Sequence, residues 1–145
     1  AEANASEGLA DFAKANSNKA LGGFAALSTA DAAYTAEDYE KALEFYNLAA
    51  AALEVPTLAG RAQLGQAFSL YQTSSTDEGL AKLNAITADS SLAEAARAEA
   101  AYHLAVEADT AGRSAEFESF AAQINASPLA GQWQQRLSYY QQQVK

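Results

Sequence analysis

Apolar side chains recur at three- and four-residue steps along almost the whole chain, which is the period of an α-helix that buries one face. The clearest stretch is EDYEKALEFYNLAA, residues 37–50, where Tyr39, Leu43 and Tyr46 share a face with the small residue Ala42. Large and small apolar residues interleaved on one stripe predict a helix whose knobs enter hollows left by small residues on a neighbouring helix.

Local signals predict where helices begin. Thr35, Ser75 and Ser91 each stand three residues before an acid, the spacing of a capping box. Ser127 followed by Pro128 predicts one further start, because proline suits the first helical turn.

Boundaries at Pro56 and Gly112 complete the division of the chain. The pattern as a whole predicts eight helices joined by short connections, so that neighbours pack antiparallel. They lie near residues 6–15, 19–34, 36–54, 57–72, 76–87, 91–111, 114–125 and 128–143.

Two apolar columns repeat along the chain at one step of 37 residues. They are Leu43, Leu80 and Phe117, and, three positions later, Tyr46, Leu83 and Phe120. A period in this range with two helices per unit indicates a helical solenoid, in which each hairpin needs its neighbour to bury its apolar face.

A third column consists of leucines in Leu-Ala words near predicted helix starts. Leu58, Leu92 and Leu129 are its clear members, and Leu21 in ALGG is a weaker first member. The spacing of this column is close to that of the other two, so it is expected to mark equivalent positions in successive repeats.

The chain resembles the tetratricopeptide repeat family, whose unit is a helix-turn-helix of about 34 residues. QLGQAF supplies Leu64, Gly65 and Phe68 at first-helix positions, and AEDYEKALEFYNLAA matches the second helix through Ala42 and Tyr46. GRSAEFESFAA is a looser copy.

The sequence differs from the tetratricopeptide pattern at several positions. Thr29-Ala30 stands where Leu-Gly is expected. The position of Ala42 is occupied by Gly79 in the second repeat and by Glu116 in the third.

The resemblance implies an all-α fold, a right-handed α-α superhelix of about three helical hairpins with an additional N-terminal helix and a C-terminal capping helix. It implies one domain over residues 1–145, with repeats near 19–54, 57–88 and 91–126 and a capping helix over 128–143.

The last predicted helix has the pattern of a cap, apolar on one side and rich in glutamine on the other. Leu129, Trp133, Leu137 and Tyr140 form its apolar stripe, and Trp133 is interpreted as a core anchor. Tyr139 falls off the stripe and is expected to be exposed.

Composition and charge exclude several classes of function. The chain has no Cys, which excludes disulfides, zinc-thiolate sites and thiol catalysis. Its net charge of −9 argues against nucleic acid and against anionic membrane surfaces, since both need basic faces. No apolar run reaches the roughly 18 residues of a membrane span.

The sequence begins with Ala and contains no Met, so we expect that a leader, an anchor or a tag preceded it. Within its family the chain is most similar to the bacterial membrane-anchored kind that includes the ancillary subunit of the Sec translocon. This likeness implies a periplasmic or other extracytoplasmic location, with the inner-membrane anchor outside this sequence.

Candidate chemistry is limited. His103 is the only histidine, and Glu99 and Glu107 stand four residues to either side on the same helical face. These three could bind a divalent ion weakly or support a hydrolase, but a solvated helix face is favoured. No GxSxG elbow or phosphate-binding glycine loop occurs, so no catalytic residue, cofactor or metal is predicted.

The remaining candidate is a surface. In the repeat pattern the first helices line the concave side, where we expect Gln63, Gln66, Glu99 and His103. The sequence therefore predicts a non-catalytic protein-interaction module whose groove suits a neutral, basic or apolar segment of another protein. Two alternatives stay open: a structural domain that associates with itself, and, more distantly, a metal-binding or hydrolytic protein centred on His103.

Overall fold

The computed structural model describes residues 2–73 and 75–144, except for the side chain of Glu2. Within these residues the chain is all-α and forms no strand. Its helices are α1 (Glu2–Ala15), α2 (Ala20–Thr35), α3 (Tyr39–Ala52), α4 (Pro56–Gln72), α5 (Thr76–Ala88), α6 (Glu94–Thr110), α7 (Ser114–Ala126) and α8 (Gly131–Gln143). The eight predicted helices are confirmed, and the differences lie at their ends.

The predicted start at Thr35 is wrong, because this residue ends α2. Its hydroxyl donates to the carbonyl of Asp31 at 2.9 Å instead of capping a new helix. Asp38 caps α3, and its carboxylate accepts a hydrogen bond from the backbone N–H of Lys41 at 3.2 Å.

The predicted starts at Ser91 and Ser127 are also wrong, since α6 begins at Glu94 and α8 at Gly131. The Ser91 hydroxyl donates to the carboxylate of Asp89 at 2.5 Å. Ser127 is the C-cap of α7, and its hydroxyl donates to Glu94 at 2.7 Å. Both hydroxyls bond a nearby carboxylate, which competes with the capping geometry.

Two turns end in the same motif. After α6, Arg113 N–H donates to the carbonyl of Ala108 at 2.8 Å, and Gly112 has a φ of 74°. After α2, the equivalent bond runs from Asp38 N–H to Ala33 at 2.9 Å, and the left-handed position is taken by Glu37 with a φ of 62°. The prediction of a turn at Gly112 is confirmed, because this Schellman turn requires a positive φ.

The chain divides into two compact units, Ala1–Lys82 and Leu83–Lys145, and the division falls within α5. In the first unit α1 packs on α2, α2 on α3 and α3 on α4, and α2 also contacts α4. In the second unit α6 packs on α7, and α8 contacts both of them.

The first unit contains a close knob-and-hollow contact between α3 and α4. A Cβ atom added at Gly65 would lie 2.3 Å from Cε1 of Tyr46, so the tyrosine ring fills the space that glycine leaves. The Tyr46 hydroxyl donates to the carboxylate of Asp31 on α2 at 2.7 Å, and Arg61 on α4 pairs with the same carboxylate. The prediction that large side chains enter hollows left by small residues on a neighbouring helix is confirmed for Tyr46, whose ring lies at Gly65.

The remaining residues of this stripe differ in burial. Leu43 and Tyr39 are only half-buried, and the Tyr39 ring meets Tyr34 edge-on at 5.1 Å. Phe45, which the stripe leaves out, is 1% exposed. It is buried because α3 packs on both α2 and α4 and therefore buries more than one stripe.

The core of the second unit is formed by α6, α7 and α8. Trp133 is only 4% exposed, which confirms it as a core anchor, and Leu137 and Phe117 are buried with it. Tyr140 on α8 donates a hydrogen bond to the carboxylate of Asp109 on α6 at 2.7 Å.

The leucine column does not mark equivalent positions, and this prediction is wrong. Leu92 is buried, Leu58 is half-buried, Leu21 is 65% exposed and Leu129 is 73% exposed. Leu129 also precedes α8, so it is not part of the apolar stripe of that helix. Single Leu-Ala words recur easily in an alanine-rich sequence, whereas Leu80 and Phe117 of the 37-residue column are half-buried and buried.

Among residues 2–73 and 75–144, none of the helices combines the length and the hydrophobicity that crossing a lipid bilayer requires.

Candidate functional site

The four polar residues predicted for a groove lie on two helices. Gln63 and Gln66 are on α4 in the first unit, and Glu99 and His103 are on α6 in the second. All four side chains are half-buried.

The Gln66 amide is used within the fold. Its Nε2 donates to Oδ1 of Asn47 on α3 at 2.8 Å. Its Oε1 is buried and accepts no hydrogen bond from the described residues. Gln66 therefore links α3 to α4.

Glu99 and His103, the two predicted residues on α6, lie near the positively charged Arg136 of α8. Burial raises the pKa of the Glu99 carboxyl, and the positive charge of Arg136 opposes that rise. Burial also lowers the pKa of His103, and the same arginine lowers it further. Desolvation therefore favours the neutral form of both groups.

Arg136 stacks on the indole of Trp133, with its guanidinium carbon 4.7 Å from the ring centroid. Such a cation-π contact contributes roughly 0.5–2 kcal/mol and holds the guanidinium in place. The His103 ring lies 6.3 Å from Trp133 and 5.5 Å from Tyr102. Arg136 of α8 and His103 of α6 thus both lie beside the buried ring of Trp133.

A pocket of about 540 Å³ opens beside this cluster, and we call it the α6/α8 groove. It is lined by Tyr102, Gln132, Gln135, Arg136 and Tyr139. Tyr139 is 65% exposed, which confirms its predicted exposure. The lining combines flat aromatic faces with amide and guanidinium groups, and these can contact apolar side chains and the peptide backbone together.

None of the four polar residues predicted for a groove lines this pocket. Of its lining residues, the sequence singled out only Tyr139, as an exposed side chain. Sequence reasoning assigned Arg136 and the two glutamines to a merely polar outer side of α8. The spacing of Trp133 and Arg136, three residues apart on one helix, was the available signal for the stacked pair.

The alternative metal site is not assembled. Of the residues that the structure describes, no group of three or more His, Cys, Asp or Glu side chains could hold a metal ion. Glu99, His103 and Glu107 therefore do not form the predicted alternative ligand set.

The first unit has a pocket of its own, of about 460 Å³, between α1 and the start of α3. Acidic side chains dominate its lining, together with Lys14 and Lys41. Lys14 pairs with Glu44 at 2.8 Å and lies over the Phe45 ring at 5.3 Å. Lys14 and Glu44 are therefore already paired with each other within this pocket.

No protein-family model, curated protein or solved structure matches the chain.

Proposed function

We propose that the protein is a non-catalytic protein-interaction module that binds an extended segment of another protein in the α6/α8 groove. The observation that carries the proposal is the exposed Tyr139 beside Arg136, whose guanidinium is held on the buried Trp133 ring.

The chemistry of the groove suits such a segment. Tyrosine loses little conformational entropy on binding and offers a large contact area, which makes it frequent in binding surfaces. Gln132 and Gln135 each carry donors and an acceptor, so both can pair with the N–H and C=O groups of an extended backbone.

The charge of the molecule narrows the class of partner. With a net charge of −9, the chain repels acidic proteins at long range and attracts basic ones. Arg136 is a single cation in the lining and already stacks on Trp133. The expected ligand is therefore a neutral or basic segment that carries an apolar side chain, which contacts the rings of Tyr102 and Tyr139.

A random peptide library displayed on phage, selected against the whole chain, tests the proposal. We expect an enriched peptide whose dissociation constant rises at least about tenfold in Tyr139→Ala and Gln135→Ala, as loss of binding-surface anchors does. Matched controls are Tyr71→Ala on α4 and Gln142→Ala at the end of α8, both exposed positions outside the groove. Equal effects of all four substitutions, or failure to enrich any peptide, would refute the proposal.

The finer architecture and the location are part of the same proposal. We propose a tetratricopeptide-like right-handed superhelix in a bacterial protein that works outside the cytoplasm and is anchored to a membrane. The α2–α4 and α6–α8 contacts, each within its own unit, support the stacking of alternate helices. The cysteine-free composition is compatible with the location. Fractionation of cells that express the complete gene product tests it, and recovery in the cytosol would count against it.

Self-association is the second candidate, and exposed apolar side chains at the start of the first unit favour it. Leu9 and Phe12 on α1, and Leu21 and Phe24 on α2, are all exposed. Light scattering over a hundredfold range of concentration tests this candidate. A mass that rises with concentration, and does not rise in Phe24→Ser, would support it, whereas a constant monomer would exclude it.

A further inference from the structure

A second pocket of the Leu83–Lys145 unit has a lining quite different from that of the α6/α8 groove. It measures about 220 Å³ and lies between α6, the end of α7 and the turn that follows. Its lining comprises Glu94, Arg97, Ala98, Gln123, Ala126, Ser127 and Pro128, none of which lines the groove.

Arg97 is the unusual member of this lining. Its Nε is buried and has no hydrogen-bond partner among the described residues. No ion pair of Arg97 occurs in that part of the chain either. A charged group without a partner calls for a ligand or an ordered solvent molecule. Nε is buried, so a ligand in the pocket reaches the two Nη groups, whose N–H bonds match the two oxygens of a carboxylate.

Two other polar side chains of the pocket are already engaged. Ser127 donates its hydroxyl to Oε2 of Glu94 at 2.7 Å, and Gln123 donates Nε2 to the carbonyl of Thr87 at 3.1 Å. The Leu129 N–H also reaches Oε2 of Glu94, at 3.4 Å. Both of these bonds to Glu94 use the same oxygen, so Oε1 is the acceptor it can present to a ligand.

These groups specify a ligand with both charges. Arg97 calls for an anion, while the neighbouring Glu94 disfavours a second negative charge and calls for a donor. Ala98, Ala126 and Pro128 supply a small apolar wall. The volume is below the 300–1,000 Å³ of pockets for drug-sized ligands, which limits the ligand to a small molecule.

We propose that this pocket binds a free α-amino acid with a small side chain. The carboxylate pairs with the Nη groups of Arg97, because Nε itself is buried. The ammonium donates to Glu94, and the side chain contacts the alanine and proline wall. The site is independent of the proposed protein-binding groove, since the two share no lining residue.

Arginine Nε–H signals in nitrogen-proton correlation spectra of the whole chain give a direct test. The sequence has four arginines, and the Arg97 signal is identified by its absence from Arg97→Gln. We expect L-alanine to shift that signal saturably. Propionate, which lacks the ammonium, should bind at least about threefold more weakly, and alanine methyl ester, which lacks the carboxylate, should produce no shift.

Two variants complete the experiment. Arg97→Gln should weaken alanine binding at least about tenfold, as loss of a charge-assisted hydrogen bond does, while Arg113→Gln at the start of α7 should leave it unchanged. Should Arg97→Gln fail to fold, the Arg97 signal is identified as the one that persists when Arg61, Arg113 and Arg136 are each replaced by Gln, and the three probes on the unaltered chain decide. No saturable shift with alanine, or equal binding of propionate and alanine, would overturn the proposal.

Discussion

Replacing Gly65 by alanine tests the contact between α3 and α4. In an exposed helix position this substitution gains about 1 kcal/mol of helix propensity. Here the added Cβ would lie 2.3 Å from Tyr46, whereas ordinary contact begins at 3.4 Å, so the ring has to move by about 1 Å. Overpacking of this kind costs about 1–3 kcal/mol.

Movement of the ring has a second cost. The Tyr46 hydroxyl is held by Asp31 at 2.7 Å, and displacing it weakens a hydrogen bond worth about 1 kcal/mol. Together the two costs exceed the gain in propensity, and we expect Gly65→Ala to lower the free energy of unfolding by about 1–3 kcal/mol.

Denaturation in guanidinium chloride, followed by circular dichroism, measures the change. Gly8→Ala in α1 is the matched control, since nothing lies within 4 Å of the Cβ it would add, and it should be neutral or stabilising. In a double-mutant cycle with Tyr46→Leu, the combined loss should be smaller than the sum of the two single losses. Gly65→Ala as stable as Gly8→Ala would refute the knob-and-hollow reasoning.

Three further predictions concern turns, a hydrogen bond and pH. Glu37→Gly should stabilise the chain by about 0.5–1 kcal/mol in the same denaturation assay, because glycine adopts a positive φ without strain. Gly112→Ala should destabilise it by about 1 kcal/mol for the same reason. Effects of the opposite sign would refute this prediction. Tyr140→Phe should cost about 1 kcal/mol through loss of the bond to Asp109, and no measurable loss would contradict it. Burial lowers the pKa of His103 below its ordinary value of 6.5. As pH falls below about 6.5, the unfolded chain therefore binds a proton at this residue more readily than the folded chain does, and the free energy of unfolding decreases. Between pH 7 and 5 the melting temperature should therefore fall more in the unaltered protein than in His103→Gln; an equal fall would contradict it.

The helices were predictable because their signal is local. Alanine-rich segments with apolar residues at helical spacing specify helix whatever they pack against, and all eight were located. Their starts were less predictable, since the hydroxyls of Thr35, Ser91 and Ser127 bond to groups that the capping pattern does not include. Whether a serine caps a helix depends on which acceptor folding places beside it.

The candidate site was only partly predictable for a related reason. The stacking of Arg136 on Trp133 is local to α8 and was signalled by the spacing of the two residues, but the burial of Glu99 and His103 near that arginine depends on how α8 packs on α6. The pocket at Arg97 combines residues of α6 with the end of α7. A sequence pattern gives the face of one helix, whereas a site arises where faces of several helices meet.

The most direct measurement of the proposed function is amide chemical-shift mapping of the labelled whole chain with a peptide selected by phage display. The single indole N–H of Trp133 gives a separate reporter, because Arg136 stacks on that ring. We predict that the largest shifts fall on α6 and α8 around Tyr102, Arg136 and Tyr139, together with the indole signal. Shifts confined to the first unit, or spread evenly over the chain, would contradict the account.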